Sequence, residues 1–284
     1  DAMTGQNADP IVLARQGLPL SASNTLRGGD TATNIVGVLN YTYSKYRVRP
    51  IYALGGYVYF EPTNPRPEGA PELAEGSRLR VAGMNLLNFF NTFTGCTNGV
   101  EGVPTDCRGA SDQIEYDRQV PKTVAAIIGT KADVIGLVEL ENDGYGSDSA
   151  IQALVNALND ATAPGTYAFI DADAGTGQVN ALGLDAIKVG MIYKPASVIP
   201  VGTTAALNSV EFITGGDIEI RNRPALAQAF QEISSGAQFV VTVNHLKSKG
   251  SACDTPDALD GQGNCNTVRT NAANLLTAWL ASDP

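Results

Sequence analysis

The chain has 284 residues, 43% of them hydrophobic and 17% charged, and a formal charge of −10. That is enough apolar material for one large or two smaller domains, and it excludes collagen-like, coiled-coil and disordered chains, because no short period repeats. No run approaches the roughly eighteen consecutive apolar residues that a membrane span requires.

The charge is unevenly spread. Residues 1–70 hold six Lys/Arg against five Asp/Glu, so the acidic excess lies beyond them. A sequence-independent nucleic-acid binder usually presents a basic surface. A polyanion partner here would therefore need a local basic cleft or bound cations. The first residues, DAMTGQNADP, lack the basic-then-apolar pattern of a signal peptide and read as a mature or trimmed terminus.

Residues 1–62 read as β-structure. TNIVGVLNYTYSKYRVRPIYA places apolar and aromatic residues in short extended runs with a turn near Ser44–Lys45, and Gly28, Gly29 and Asp30 form a turn signal before it. Tyr41, Tyr43, Tyr46, Arg47 and Arg49 offer stacking and phosphate contacts, or the tyrosines fill a small β-core. Residues 63–77, within a stretch carrying four prolines from Glu61 to Gly76, read as a linker.

From 78 to 284 strands alternate with helices, which indicates α/β or α+β with mixed sheets. RLRVAGMNLLNFF is a strand running into a loop at Asn85–Asn88. Asp112 to Gly129 has helical spacing at Ile114, Val120, Val124, Ile127 and Ile128, despite Pro121. ADVIGLVELEND is a buried strand whose apolar run ends at Glu139. SAIQALVNALNDA is an amphipathic helix with Ile151, Leu154, Val155 and Leu158 on one face. AIKVGMIYKP and FVVTVNHLK are further strands, and TVRTNAANLLTAWLASDP is a final helix.

The four cysteines form two local pairs, Cys96 with Cys107 and Cys253 with Cys265, in segments rich in Gly, Asn, Asp and Thr. Neither spacing is that of a zinc knuckle or redox motif. Two loop-closing disulfides in an exported protein fit best, with pairings between front and back cysteines left open. A secreted or cell-surface location follows from that reading.

Polar residues at the ends of buried strands are the candidates for chemistry, because such positions hold side chains rigidly at a cleft rim. Glu139 either faces solvent at a strand end or supplies oxygen to Mg²⁺ or Ca²⁺; Glu141 and Asp143 could share that role or form a solvated turn. Asn85 is a turn residue or an amide that holds a metal water or phosphate oxygen. His245 is the only histidine and is followed by Lys247 and Lys249, a combination suited to an anion site. There is no G-x-S-x-G elbow, Walker loop or H-E-x-x-H, which removes serine hydrolases, P-loop enzymes and zincins.

Taken in order, RLRVAGMNLLNFF, ADVIGLVELEND, AIKVGMIYK, NRPALAQAF and VNHLKSKG resemble the endonuclease/exonuclease/phosphatase family, the fold of deoxyribonuclease I, and most nearly its large secreted bacterial nucleases. The resemblance runs from about Gly28 to Trp279. It implies an α+β fold: a four-layer α/β sandwich, its C-terminal part missing, preceded by the end of an OB-like partial β-barrel. It also implies a Mg²⁺- or Mn²⁺-dependent hydrolase of DNA, with RNA as a further substrate and structural Ca²⁺ in loops.

Residue by residue, Asn85 matches the family's metal- and phosphate-positioning asparagine, Glu139 its metal-binding glutamate, and His245 its first catalytic histidine. Arg223 sits near a phosphate-contacting arginine, and Lys188 near a substrate-facing polar position. The family pattern continues with G-D-x-N and closes with S-D-H, and neither occurs here. The resemblance therefore implies that these residues alone lack nuclease activity, and that a C-terminal fragment of the same protein is a partner. Two other readings stay open: a same-fold phosphatase or phosphodiesterase acting on inositol phosphates or sphingomyelin, and a catalytically inactive secreted nucleic-acid-binding protein.

Overall fold

The computed structural model describes residues 12–14, 18–19, 24–43, 45–51, 54, 58–65, 76–258 and 261–284. The chain divides into two compact units, Asp1–Pro71 and Glu72–Pro284. Most of the Pro-rich stretch, 66–75, lies outside the described residues.

In the first unit, β1 (Val12–Ala14) pairs antiparallel with β2 (Leu18–Pro19) and parallel with a later strand, Val58–Tyr59. Between them, β3 (Gly37–Thr42) and β4 (Lys45–Pro50) form an antiparallel hairpin in which Thr42 faces Lys45. Val58–Tyr59 is β5. The hairpin tyrosines are exposed rather than core-filling: Tyr43 is 90% accessible and Tyr46 74%. The Tyr41 and Tyr46 rings lie 4.9 Å apart, and the Arg47 guanidinium stands 5.5 Å from the Tyr43 ring.

The second unit begins with β6 (Val81–Phe89), followed by α1 (Gln113–Thr130), β7 (Val134–Glu141), α2 (Ala150–Ala161), β8 (Ala168–Phe169), α3 (Ala172–Thr176) and β9 (Ile187–Tyr193). It continues through β10 (Val198–Leu207), α4 (Val210–Thr214), β11 (Arg223–Glu232), β12 (Gln238–His245) and α5 (Asn266–Ala281). One sheet has the order β6-β7-β9-β8 and the other β10-β11-β12. The β6–β7 pair is parallel because α1 makes the crossover between them.

The two sheets pack face to face. Val134, Val189 and Met191 of the first meet Leu226, Phe230, Val241 and Val243 of the second in one buried cluster. Gly136 is required at this contact, since a Cβ there would lie 2.7 Å from Val243 Cγ2. On the outer face of the first sheet, Ile135, Leu137 and Leu140 pack with Val124 and Ile127 of α1 and Ile151, Leu154 and Leu158 of α2. Outside the second sheet, Leu207 and Ala225 pack with Phe212 of α4 and Ala272 of α5. The result is the helix–sheet–sheet–helix order of a four-layer α+β sandwich.

Local chemistry sets the helix ends. Asp112 caps α1 by accepting from Glu115 N, and Ser149 caps α2 by accepting from Gln152 N. The helical pattern holds for Val124 and Ile127, whereas Ile114 is 69% exposed, in the first turn of α1. Both expected disulfides are present, Cys96–Cys107 and Cys253–Cys265. Among the described residues, no helix is long and apolar enough to cross a membrane.

Candidate active site

Asn85, Glu139 and His245 come from β6, β7 and β12, and they meet at one end of the sandwich. The Asn85 amide Nδ2 donates to Glu139 Oε1 at 2.7 Å, and His245 Nε2 lies 3.9 Å from the same oxygen. Residues 54 and 160 positions apart in the chain thus share a single carboxylate oxygen. The Asn85 carbonyl is occupied in turn, accepting from Leu87 N at 2.7 Å, which fixes the orientation of the amide.

This meeting depends on two breaks in strand regularity. Ile135 and Leu137 face the helix layer, while Val134 and Val138 face the opposite sheet. Strict alternation would point Glu139 into the apolar helix-side core. Instead Glu139 has φ 62°, the register shifts between Leu137 and Leu140 against β9, and Leu140 takes the helix-side place. The extra residue frees the carboxylate to reach the cleft. A matching break in β6, with Leu87 and Asn88 both at φ 56°, shifts the register between Asn85 and Phe89. The segment Asn85–Asn88 is therefore an irregular strand rather than the expected loop, and β7 runs on past Glu139 to Glu141. Left-handed backbone at non-glycine residues costs about 1–3 kcal/mol and concentrates at functional sites.

Arg223 pairs in register with His245. Its Nη2 is 2.9 Å from Asp185 Oδ2, and Arg108 Nη1 is 3.1 Å from Asp185 Oδ1. Arg223 Nε and His245 Nδ1 are buried and have no hydrogen-bond partner among the described residues. Burial, with the charge of Arg223, holds the His245 imidazole below its ordinary range against the opposing pull of Glu139 and Asp185. Lys247 stands close to Arg221, Arg223 and Arg269; burial and these like charges lower its ammonium. Lys247, Arg223 and Arg269 thus form a positive patch beside the cluster, while Arg221 is neutralised by Asp217, Glu219 and Asp254. Lys247 Nζ donates to Ser251 Oγ at 3.0 Å, while Lys249 is exposed at the patch's edge.

Lys188 does not face the cleft. It shares a strand face with Gly190 and Ile192, which pack toward the helix layer, whereas Val189 and Met191 face the other sheet. Its side chain is 1% exposed; Nζ donates to Gly144 O at 2.6 Å and lies 4.0 Å from the Tyr145 ring centre. The substrate-facing expectation for Lys188 is corrected by this alternation.

Glu141 and Asp143 also leave the cleft. Glu141 accepts from Asn91 N and Thr92 N, and Asp143 from Ala150 N at 2.7 Å. Burial pushes the Asp143 carboxyl up to about 6 from 3.8, opposed by Lys188 and assisted by Glu141. The folded state then holds more protons than the unfolded state between those values. This group's stabilising contribution is full below about pH 4 and falls, by on the order of 2 kcal/mol, as pH rises through about 6. Urea unfolding across that window is expected to show this loss in the parent relative to Asp143→Asn; parallel curves would contradict it.

The donor set fits a hard divalent cation. Glu139 supplies a carboxylate on a rigid strand, oriented by the Asn85 amide, and the neighbouring cations suit the phosphate such an ion would share. Among the described residues, no group of three or more His, Cys, Asp or Glu gathers to make an all-protein cage. A Mg²⁺-type ion that keeps several waters needs only one or two carboxylates.

Sequence reading missed Arg108 and Asp185. Their local signals are slight, one following Cys107 directly and the other preceding the apolar strand AIKVGMIY.

Layer order and site together define a four-layer sandwich with a polar cluster at the strand ends. No family model matches the chain, and no curated protein does. Among solved structures, it is similar to an endonuclease/exonuclease/phosphatase family protein from Bacteroides thetaiotaomicron, at 15% identity and TM-score 0.42, over 72% of this chain and 57% of that one. A mannosyl-6-phosphatase from the same organism gives 15% identity and TM-score 0.42, over 72% of this chain and 59% of that one. The human Nocturnin catalytic domain gives 17% and 0.32, over 48% and 45%. The chain spans less than two thirds of the length of each.

Proposed function

We propose that this chain carries the larger part of a metal-dependent phosphodiesterase site acting on DNA, and on RNA as a further substrate, in an exported protein. The observation that carries the reading is the convergence of Asn85, Glu139 and His245 on one carboxylate oxygen beside Arg223. Glu139, oriented by Asn85, would hold Mg²⁺ or Mn²⁺. When bound, that ion supplies Lewis-acid stabilisation of phosphate charge. His245 offers a ring N–H to a phosphoryl oxygen, and Arg223, held beside it by the β11–β12 register, adds positive charge for the same group. Lys247 and Lys249 face the flanking backbone, and the two disulfides agree with an oxidising compartment. Structural Ca²⁺ in the loops belongs to the same reading. The exposed Tyr41, Tyr43 and Tyr46, with Arg47, favour a nucleic acid over a small phosphate ester, because bases stack on such rings.

The sequence has one histidine, and among the described residues no Asp–Asn pair joins the cluster. On this reading a further segment of the same protein supplies the water-activating group. In the two sheets of the second unit, β6 and β12 are edge strands, and a cleft of about 480 Å³ opens between Gly83, Asn85, Gly136, Val138, Val243 and Asn244. Strands of a C-terminal segment of the same protein could pair there. The 284 residues alone are expected to bind labelled duplex DNA in Mg²⁺, to lose most of that binding in EDTA, and not to nick a plasmid. Binding indifferent to EDTA would remove the metal from the site. Mg²⁺-dependent nicking by the purified chain would remove the need for a further segment.

A further inference from the structure

Arg108 is held unusually firmly for a residue in a loop. It directly follows Cys107, whose disulfide to Cys96 closes an 11-residue separation. Cys96 is buried with Phe90, Ala186 and Ile187, and Cys107 packs against the same cluster. On its other side stands Gly109, where a Cβ would lie 2.4 Å from Phe90 Cβ and 2.9 Å from Asn88 O. Only glycine permits so close an approach to the irregular end of β6. Arg108 is thus pinned covalently before it and sterically after it, against the strand that carries Asn85.

Its partner is equally fixed. The Asn142 side chain, at the end of β7, donates to Gly183 O at 2.8 Å and Asp185 O at 3.0 Å, and Asn142 N donates to Ala186 O. Asp185 offers one carboxylate oxygen to Arg108 and the other to Arg223. One carboxylate cannot neutralise two guanidinium groups, so the trio keeps a net positive charge. Arg223 turns its unpartnered Nε beside His245, and the Arg108 side chain remains 41% exposed.

We infer that Arg108 is a second phosphate-binding arginine of this site, delivered by the Cys96–Cys107 loop, and that Asp185 is the positioning residue that sets both arginines against the polynucleotide backbone. The inference rests on the nucleic-acid reading above. Its consequence is that the disulfide belongs to the binding apparatus: opening that loop releases Arg108 and lowers affinity for a phosphodiester chain.

Asp185 gives the test its sign. A carboxylate that merely sat near an anion site would repel the ligand, and Asp185→Asn would tighten binding. A carboxylate that positions two arginines makes the same substitution weaken it. Affinity for a labelled duplex DNA oligonucleotide in Mg²⁺, read by anisotropy at several salt concentrations, is expected to fall roughly five- to tenfold in Arg108→Ala, with the slope of log affinity against log salt shallower by about one phosphate contact. Asp185→Asn is expected to weaken binding by a similar factor. Cys96→Ser/Cys107→Ser should do the same in the parent and little in the Arg108→Ala background, and thermal melting confirms that each variant is folded. If the cysteine variant fails to fold, Arg108→Ala and Asp185→Asn still decide. Parent binding that is lost in Glu139→Ala but unchanged in Arg108→Ala, or tightened in Asp185→Asn, would overturn the inference and leave the proposed function standing. Absence of DNA binding by the parent would overturn both.

Discussion

On the proposed function, Glu139→Ala and His245→Ala should each lower metal-dependent DNA cleavage by at least about a thousandfold, measured on the 284 residues together with the proposed further segment. Glu139 is the one carboxylate that Asn85 and His245 share, so its loss removes the anionic ligand for the cation and the group that orders both neighbours. Glu141 and Asp143 are held by backbone amides, and Asp185 by Arg108 and Arg223, so none of the three is placed to substitute for it. For His245 the loss is of a ring donor placed beside Arg223 by the β11–β12 register. Rates within tenfold of the parent for either variant would overturn the assignment. Glu139→Gly adds a diagnostic that a merely structural role would not produce. Its backbone sits at φ 62°, where glycine is unstrained, so the variant should be about 1 kcal/mol more stable while equally inactive.

The second large effect falls on stability. Lys188→Met is expected to cost about 3 kcal/mol in urea unfolding, because it removes the buried hydrogen bond to Gly144 O and the positive charge nearest half-buried Asp143. Burial lowers the Lys188 ammonium to about 8, with Asp143 the first of the charges opposing that shift, so the two groups are electrostatically linked. Neutralising both, in Lys188→Met/Asp143→Asn, should recover most of the loss. DNA affinity of the folded Lys188→Met protein should be unchanged, as the side chain lies on the helix-facing side of β9. A folded variant of parental stability with weakened DNA binding would restore Lys188 to the cleft.

The sequence alone determined the alternation of strands and helices, the local pairing that fits the cysteines best and the strand-end residues, whereas α3, α4 and β10 emerged only in the fold. Period and capping settled α2, where Ile151, Leu154, Val155 and Leu158 are all buried behind Ser149. Cysteine spacing favoured the two local loops and left other pairings open; the structure closes both within 12 residues. Asn85, Glu139 and His245 stood out because each ends an apolar run.

What only the tertiary structure decided was direction and company. Periodicity assigns a side chain to one of two faces, and one extra residue reverses that assignment. The breaks at Glu139 and at Leu87–Asn88 leave no mark in hydrophobic pattern, yet they turn a carboxylate out of an apolar layer and toward a histidine on the other sheet. Lys188 is the converse case: regular alternation buried a charge that the family resemblance had placed toward substrate. Arg108 and Asp185, 77 residues apart, became partners only when a disulfide loop was laid against the start of β9. Distant pairings of this kind are set by packing between layers, which no local window of sequence contains.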